Sequence, residues 1–280
     1  MREDGLATDL TDKLTRLQQL VAGYGSALLA FSGGVDSALV LRVAHGVLDD
    51  RLTALTSVSP TNPEEDTAEA VTLAGTLGVR HVVVDSNELE IPAYAANPID
   101  RCFLCKDRLY EICTAEARAR GIAVIMDGVN VDDLGDYRPG LRAAHAFGIR
   151  HPLVEAELTK RDVRALSRLL GLATWDRPAS PCLSSRFPYG TTITLAGLRK
   201  VAEAESALRR LGFRTLRVRF LGDHARVEID RAELPRLEDP TVRAVAVAGV
   251  QAAGFAEVTI DPAGFRSGSL NVGVGARTDR

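Results

Sequence analysis

The stretch SGGVDS at residues 32–37 constrains the fold more than any other part of this chain. It follows Ser26–Phe31 (SALLAF), a short apolar run that reads as a buried strand, and precedes Ala38–Leu48, which reads as a helix. A strand, a glycine turn and a helix in that order gather free backbone N–H groups around the turn, and the helix dipole adds partial positive charge there. The result is an anion site. Gly33 and Gly34 let the backbone approach a phosphate, and Ser32 and Ser37 add hydroxyl donors. No lysine follows the glycines, which excludes the G-x-x-x-x-G-K-[ST] loop, and the dinucleotide pattern G-x-G-x-x-G is absent too. Asp36 would repel a phosphate unless it holds Mg²⁺ or caps backbone amides.

The flanking pattern agrees with an α/β fold. Leu10, Leu14, Leu17, Leu20 and Val21 have helical spacing over residues 9–22. Leu52–Val58, 80–85 and Ile122–Met126 read as further strands. Between them lie helices from Pro63 to about Leu77 and over 101–120. A helix near 141–147, a short strand at 151–154 and a helix over Thr159–Leu170, capped by Thr159, follow. Strands alternating with helices predict a parallel sheet. Ser57, ending the second strand, and Asp127–Gly128, after the fourth, fall where such sheets meet a nucleotide. Asn130, Asp132 and Asp136 are candidates to orient ribose, magnesium or loop backbone, and Arg138 to meet phosphate. The pattern breaks over TWDRPASPCLSSRFPYGTT, which contains Trp175, a hinge-packing residue by default. A helix (194–211), two strands (214–220 and 224–229), a helix (240–253) and a strand (256–260) then predict a small α+β unit on its own antiparallel sheet. We therefore expect a nucleotide-binding domain over 1–175 and a second domain over 176–280, opened by an active-site loop at 176–192. The Gly-, Arg- and Ser-rich tail at 272–280 is expected to be partly disordered.

Composition narrows the function. Thirty-four basic residues against 37 acidic ones give a net charge of −3, which excludes holding nucleic acid through bulk positive charge. Lysine occurs only at 13, 106, 160 and 200, so 34 − 4 = 30 basic residues are arginine, and a single arginine is weak evidence of function. Four cysteines are too few for a disulfide scaffold, and neither a signal-type apolar core nor an apolar run of about 18 residues is present. A cytoplasmic location is expected. Cys182 sits in a proline-bounded loop with Arg177 and Arg186 near it in sequence, surroundings that favour a reactive thiol over a small buried apolar residue. Ser185 and Arg186 follow it closely enough to bind phosphate or carboxylate. Arg217 and Arg219 share one strand face, either as a clamp for a phosphate or as an exposed polar face. Cys102 and Cys105, with one more distant cysteine, have spacing used for iron–sulfur or zinc sites, whereas Cys113 reads as core. The five histidines (45, 81, 145, 151, 224) have no metal-ligand spacing and read as core or surface.

SGGVDS matches in full the pyrophosphate loop of the ATP pyrophosphatase (PP-loop, adenine nucleotide α-hydrolase-like) superfamily. That resemblance implies ATP cleavage between the α and β phosphates, adenylylation of a substrate oxygen, and its replacement by nitrogen or sulfur. Together with PCLSSRFPYG, RCFLCK (101–106), MDGVNVDDLGDYRPG (126–140) and FRSGSLN (265–271), the chain resembles the LarE family over about residues 10–271. These are ATP-dependent sulfurtransferases that build the nickel-pincer cofactor of lactate racemase. The resemblance implies ATP and Mg²⁺ as cofactors and a nicotinic-acid-derived pyridinium dicarboxylate mononucleotide as substrate, whose carboxylates become thiocarboxylates. Ser32, Gly33, Gly34, Asp36, Ser37, Ser57 and Gly128 would then bind the nucleotide, and Ser185, Arg186, Glu205, Arg217 and Arg219 the substrate. Cys182 would be a sacrificial sulfur donor, or Cys102, Cys105 and Cys182 would hold a [4Fe-4S] cluster that carries the sulfide. A homo-oligomer is expected, without membrane or nucleic-acid partners. Three other readings compete. A tRNA-thiolating PP-loop enzyme would want a basic docking surface. An ammonia-dependent ligase would need no cysteine at 182, and a non-catalytic nucleotide-binding module leaves Cys182 unexplained.

Overall fold

The computed structural model describes residues 2–135 and 138–266. The tail at 272–280 lies outside the described residues. In chain order the elements are α1 (Arg2–Ala22), β1 (Ala27–Ala30), α2 (Val35–Leu48), β2 (Leu52–Val58), α3 (Glu64–Leu77), β3 (Arg80–Asp85), α4 (Pro92–Ala95), α5 (Arg101–Arg120) and β4 (Val124–Met126). They continue with α6 (Gly140–Ala146), α7 (Pro152–Glu155), α8 (Lys160–Leu169), α9 (Leu195–Arg210), β5 (Leu216–Leu221), β6 (His224–Ile229), α10 (Pro240–Ala252) and β7 (Glu257–Ile260). Two compact units result. The first comprises the described parts of Met1–Ser59, Glu64–Ser86 and Cys102–Ser180, and the second those of Pro60–Pro63, Asn87–Arg101 and Pro181–Arg280.

The first unit contains a four-stranded parallel sheet in the order β3-β2-β1-β4. β1 lies inside the sheet with helices on both faces, which is why ALLA reads as an unbroken apolar run rather than an alternation. Leu29 faces a cluster with Leu17 and Val21 of α1 and Leu39 and Leu41 of α2. Leu28 faces the other way, against Leu55, Cys113 and Ala117. Cys113 is fully buried there, as its spacing on α5 suggested. Thr159 caps α8 through a capping box with Asp162, and Lys13 of α1 ties Asp162 in turn at 2.9 Å.

Two expectations are corrected. Residues 152–155 are a one-turn helix, not a strand. Pro152 occupies the first helical position, where its fixed φ favours a helix, and Glu155 reaches back to the His151 N–H at 3.3 Å. Strand pairing there shrinks to one parallel bridge, Met126 with Arg150. The second sheet, β5-β6-β7, is mixed rather than antiparallel. β5 and β6 turn through Gly222–Asp223 and run antiparallel, but α10 carries the chain back from β6, so β7 lies parallel to it. α9 packs on this sheet, and Leu198, Val201, Phe213, Val218 and Val227 are buried in its core. Among the described residues no helix is long and apolar enough to cross a membrane.

Candidate functional site

In the first unit, β2 and β3 lie to one side of β1 and β4 to the other, so the strand order reverses between β1 and β4. Open parallel sheets bind ligands at that reversal, beyond the carboxyl ends of the strands. The loops there are SGGVDS after β1 and Asp127–Asn130 after β4; Ser57, near the end of β2, lies at the same edge. Two glycines are required by this geometry. Gly33 has φ +72°, and a Cβ on it would stand 2.9 Å from the Ala70 Cβ of α3. A Cβ on Gly128 would stand 2.7 Å from the Ser37 backbone nitrogen, so the loop after β4 rests directly on the first turn of α2. Gly34 caps α2 without a side-chain hydrogen bond, which leaves the first-turn N–H groups suited to an anion. The Ser32 and Ser37 hydroxyls are 3.2 Å apart beside them.

Asp36 has two partners. Asn130 donates to it at 3.1 Å, and the Lys160 ammonium forms an ion pair with its other oxygen. The Lys160 backbone N–H donates to Asp132 at 2.7 Å, and the Asp132 N–H donates to Asn130 at 3.0 Å. Of the roles weighed for Asn130 and Asp132, the contacts present are to loop backbone and to Asp36. Asp136 lies outside the described residues. Arg138 pairs with Asp133 at 2.7 Å. Arg177 donates to the Gly33 carbonyl at 3.1 Å and pairs with Asp66 at 2.7 Å and Glu69 at 2.6 Å; Ser180 also donates to Asp66, at 2.7 Å. The loop after α8 is thereby fastened to SGGVDS.

Behind Gly128, buried Asp127 accepts from the Tyr110 hydroxyl at 2.8 Å and lies 2.7 Å from His151 Nδ1. Burial opposes its charge, but the His151 contact prevails and holds the carboxyl below the usual range. His151 is raised in return: burial works against its charge, and the Asp127 carboxylate outweighs it.

In the second unit, Cys182 is half-buried at the start of a 3-10 turn, Leu183–Arg186. The Leu183 N–H donates to Thr61 at 2.7 Å, and the Tyr94 and Ser184 hydroxyls meet at 2.7 Å. Arg186 is completely buried and grips Glu205 with two bonds, of 2.7 and 2.8 Å, while donating to the carbonyls of Pro181 and Cys182. Glu205 also takes Arg209 at 2.9 Å and the Val218 N–H at 3.0 Å. Burial opposes its charge, yet the Arg186 guanidinium leads the contacts that hold its carboxyl low. Arg217 and Arg219 are not on an exposed face: they are 6% and 5% exposed. Arg219 pairs with Glu228 at 2.7 Å and donates to the Ser185 carbonyl at 2.8 Å. Arg217 lies over the Phe265 ring at 4.9 Å. Burial, and then Arg186 beside it, pushes Arg217 down to about 10. A nearby anion would reverse that push.

Cys102, exposed, and Cys105, half-buried, are one turn apart near the start of α5. Among the described residues of either unit, no three His, Cys, Asp or Glu side chains gather as a metal site. Sequence reasoning missed Lys160, the anchoring role of Arg177 and the Asp127–His151 pair. One signal was available for Lys160, its rarity in a chain that otherwise uses arginine.

The NAD synthase family model matches residues 9–127. An uncharacterised protein of Synechocystis is 44% identical over 94% of this chain and 98% of its own length. The pyridinium-3,5-bisthiocarboxylic acid mononucleotide synthase of Lactiplantibacillus plantarum is 40% identical over 95% of this chain and 96% of its own. A protein of Methanocaldococcus jannaschii is 30% identical over 72% and 77%. A PP-loop at the switch point of a parallel sheet, followed by a second unit with Cys182 in its loop, is thus matched over nearly the full length of a relative, and the chain belongs to the LarE family of pyridinium-3,5-bisthiocarboxylic acid mononucleotide synthases.

Proposed function

We propose that this protein is an ATP-dependent sulfurtransferase that converts a nicotinic-acid-derived pyridinium carboxylate mononucleotide into its thiocarboxylate. The observation that carries this reading is the near-full-length match to the Lactiplantibacillus plantarum synthase. The first unit, within residues 1–180, supplies the ATP domain, and the second, residues 181–280 with the segments 60–63 and 87–101, supplies the substrate and sulfur-transfer domain. Ser32, Gly33, Gly34, Ser37, Ser57 and Gly128 receive the nucleotide; the uncapped start of α2 and the two obligatory glycines suit that role. Mg²⁺ suits Asp36, a hard oxygen donor beside the anion cradle, and when bound supplies charge neutralisation for the phosphates.

A substrate carboxylate oxygen attacks the α phosphorus, and the bond to the bridging oxygen breaks with its electron pair leaving on pyrophosphate. Arg217 and Arg219 hold the substrate phosphate, with Ser185 and Arg186 beside them and Glu205 setting the Arg186 plane. Arg217 is buried beside other guanidinium groups, positive charge that an anionic guest would offset. The Cys182 thiolate then attacks the acyl carbon and AMP leaves. Removal of the Cys182 α proton breaks its Cβ–S bond, releasing the thiocarboxylate and leaving dehydroalanine. We assign the sulfur to Cys182 itself; a [4Fe-4S] cluster on Cys102, Cys105 and Cys182 that carries the sulfide is the other form of this reading, and the iron content of the purified protein separates the two. The reading carries with it a cytoplasmic homo-oligomer, for which sedimentation is the check.

The test is turnover with ATP, Mg²⁺ and the pyridinium dicarboxylate mononucleotide. AMP, pyrophosphate and thiocarboxylate are expected. Cys182→Ala should still release pyrophosphate while thiocarboxylate falls roughly 1,000-fold or more. A Cys182→Ala protein that still makes thiocarboxylate, or a wild type that yields an amide or thiolated tRNA instead, overturns the reading.

A further inference from the structure

We propose that Lys160 leaves Asp36 to bind the pyrophosphate of ATP, stabilising the charge that develops on it as the α–β bridge breaks. This rests on the ATP-dependent reading above. The argument starts from Asp36, whose negative charge sits in the turn that should receive a polyphosphate. The Lys160 ammonium neutralises it across 124 residues of sequence. Lys160 begins α8, and its backbone is fixed by Asp132 and by the Thr159–Asp162 capping box. The flexible four-carbon stem of the lysine can therefore swing while its base stays fixed. Solvent and a ligand can reach the pair: the Lys160 side chain is 34% exposed, and that of Asp36 is 22% exposed. The residue type also fits. A guanidinium would lock bidentately on the carboxylate, whereas an ammonium is a compact charge with three rotatable donors that can pass from carboxylate to phosphate. This chain uses lysine at only four places, and one of them is here.

The step balances without a proton. The carboxylate oxygen bonds to the α phosphorus, the bond to the bridging oxygen breaks, and the electron pair departs on pyrophosphate.

The test is calorimetric binding of inorganic pyrophosphate, in magnesium buffer, to the full chain. Wild type, Lys160→Met, Asp36→Asn and the double variant are compared, and thermal melting establishes that each is folded. Lys160→Met should weaken pyrophosphate binding roughly tenfold or more. The same loss is expected when the change is made on Asp36→Asn, where no carboxylate remains for Lys160 to pair with. Equal affinity of Asp36→Asn and the double variant overturns the proposal, because Lys160 would then act only on Asp36. Lys160→Arg should lose binding while Asp36 is present, because the guanidinium locks on the carboxylate, and regain most of it on the Asp36→Asn background; a loss as large as that of Lys160→Met on both backgrounds also overturns the proposal. Failure of the wild type to bind pyrophosphate at millimolar concentration would instead overturn the ATP-loop reading.

Discussion

Arg186 shows how far one side chain's surroundings decide its role. A buried guanidinium is stable only with its charge and donors satisfied, and Glu205 meets two of those donors. Glu205→Ala should therefore destabilise the protein by about 3–5 kcal/mol, read from urea unfolding, because it leaves Arg186 uncompensated. His151 makes a pH prediction. Its folded pKa is raised above the unfolded value, so its pairing with Asp127 stabilises fully below about pH 6.5 and is lost as pH rises through the folded pKa. The melting-temperature advantage of wild type over His151→Gln should shrink between pH 6 and 8. An advantage that grows with pH would refute this. Such partners were not legible in the sequence. The neighbours of Cys182 mark Arg186 as a binder of phosphate or carboxylate, but its burial against Glu205, 19 residues away on another element, has no local signal.

At the scale of elements, the cradle depends on two tight approaches. Gly33→Ala meets both a left-handed backbone and Ala70, and Gly128→Ala meets the backbone of Ser37. Each should weaken ATP binding by roughly tenfold or more while the far-ultraviolet circular dichroism stays near wild type. Normal ATP affinity in both variants would separate the cradle from nucleotide binding. The cradle was legible because strand, Gly-Gly turn and helix are contiguous, and periodicity reports local structure well. The sequence also marked Leu52–Val58 and 80–85 as strands, and both pair in the sheet as parallel neighbours. It failed at 151–154 because four residues carry too little period to separate a strand from one helical turn, and Pro152 decided the outcome. The orientation of β7 was hidden for a related reason: strand direction follows from the connection through α10, not from β7's own residues.

For the whole molecule, the chain is cut near Ser180–Pro181, close to the break in pattern at 173–192, but two earlier segments, Pro60–Pro63 and Asn87–Arg101, belong to the second unit. Linear reading could not assign them, because their partners come far later in the chain: the Leu183 N–H donates to Thr61, and Asn97 donates to the carbonyls of Phe187 and Pro188. Those bonds hold the loop that carries Cys182 against its own unit. The central claim is that this loop supplies the sulfur atom from Cys182. The most direct measurement is the intact mass and iron content of anaerobically purified protein before and after a single turnover with ATP and substrate. The account predicts a chain lighter by one H₂S at Cys182 for each thiocarboxylate made, with no iron. Product formed by a chain of unchanged mass that retains iron and broad absorbance near about 400 nm would contradict it.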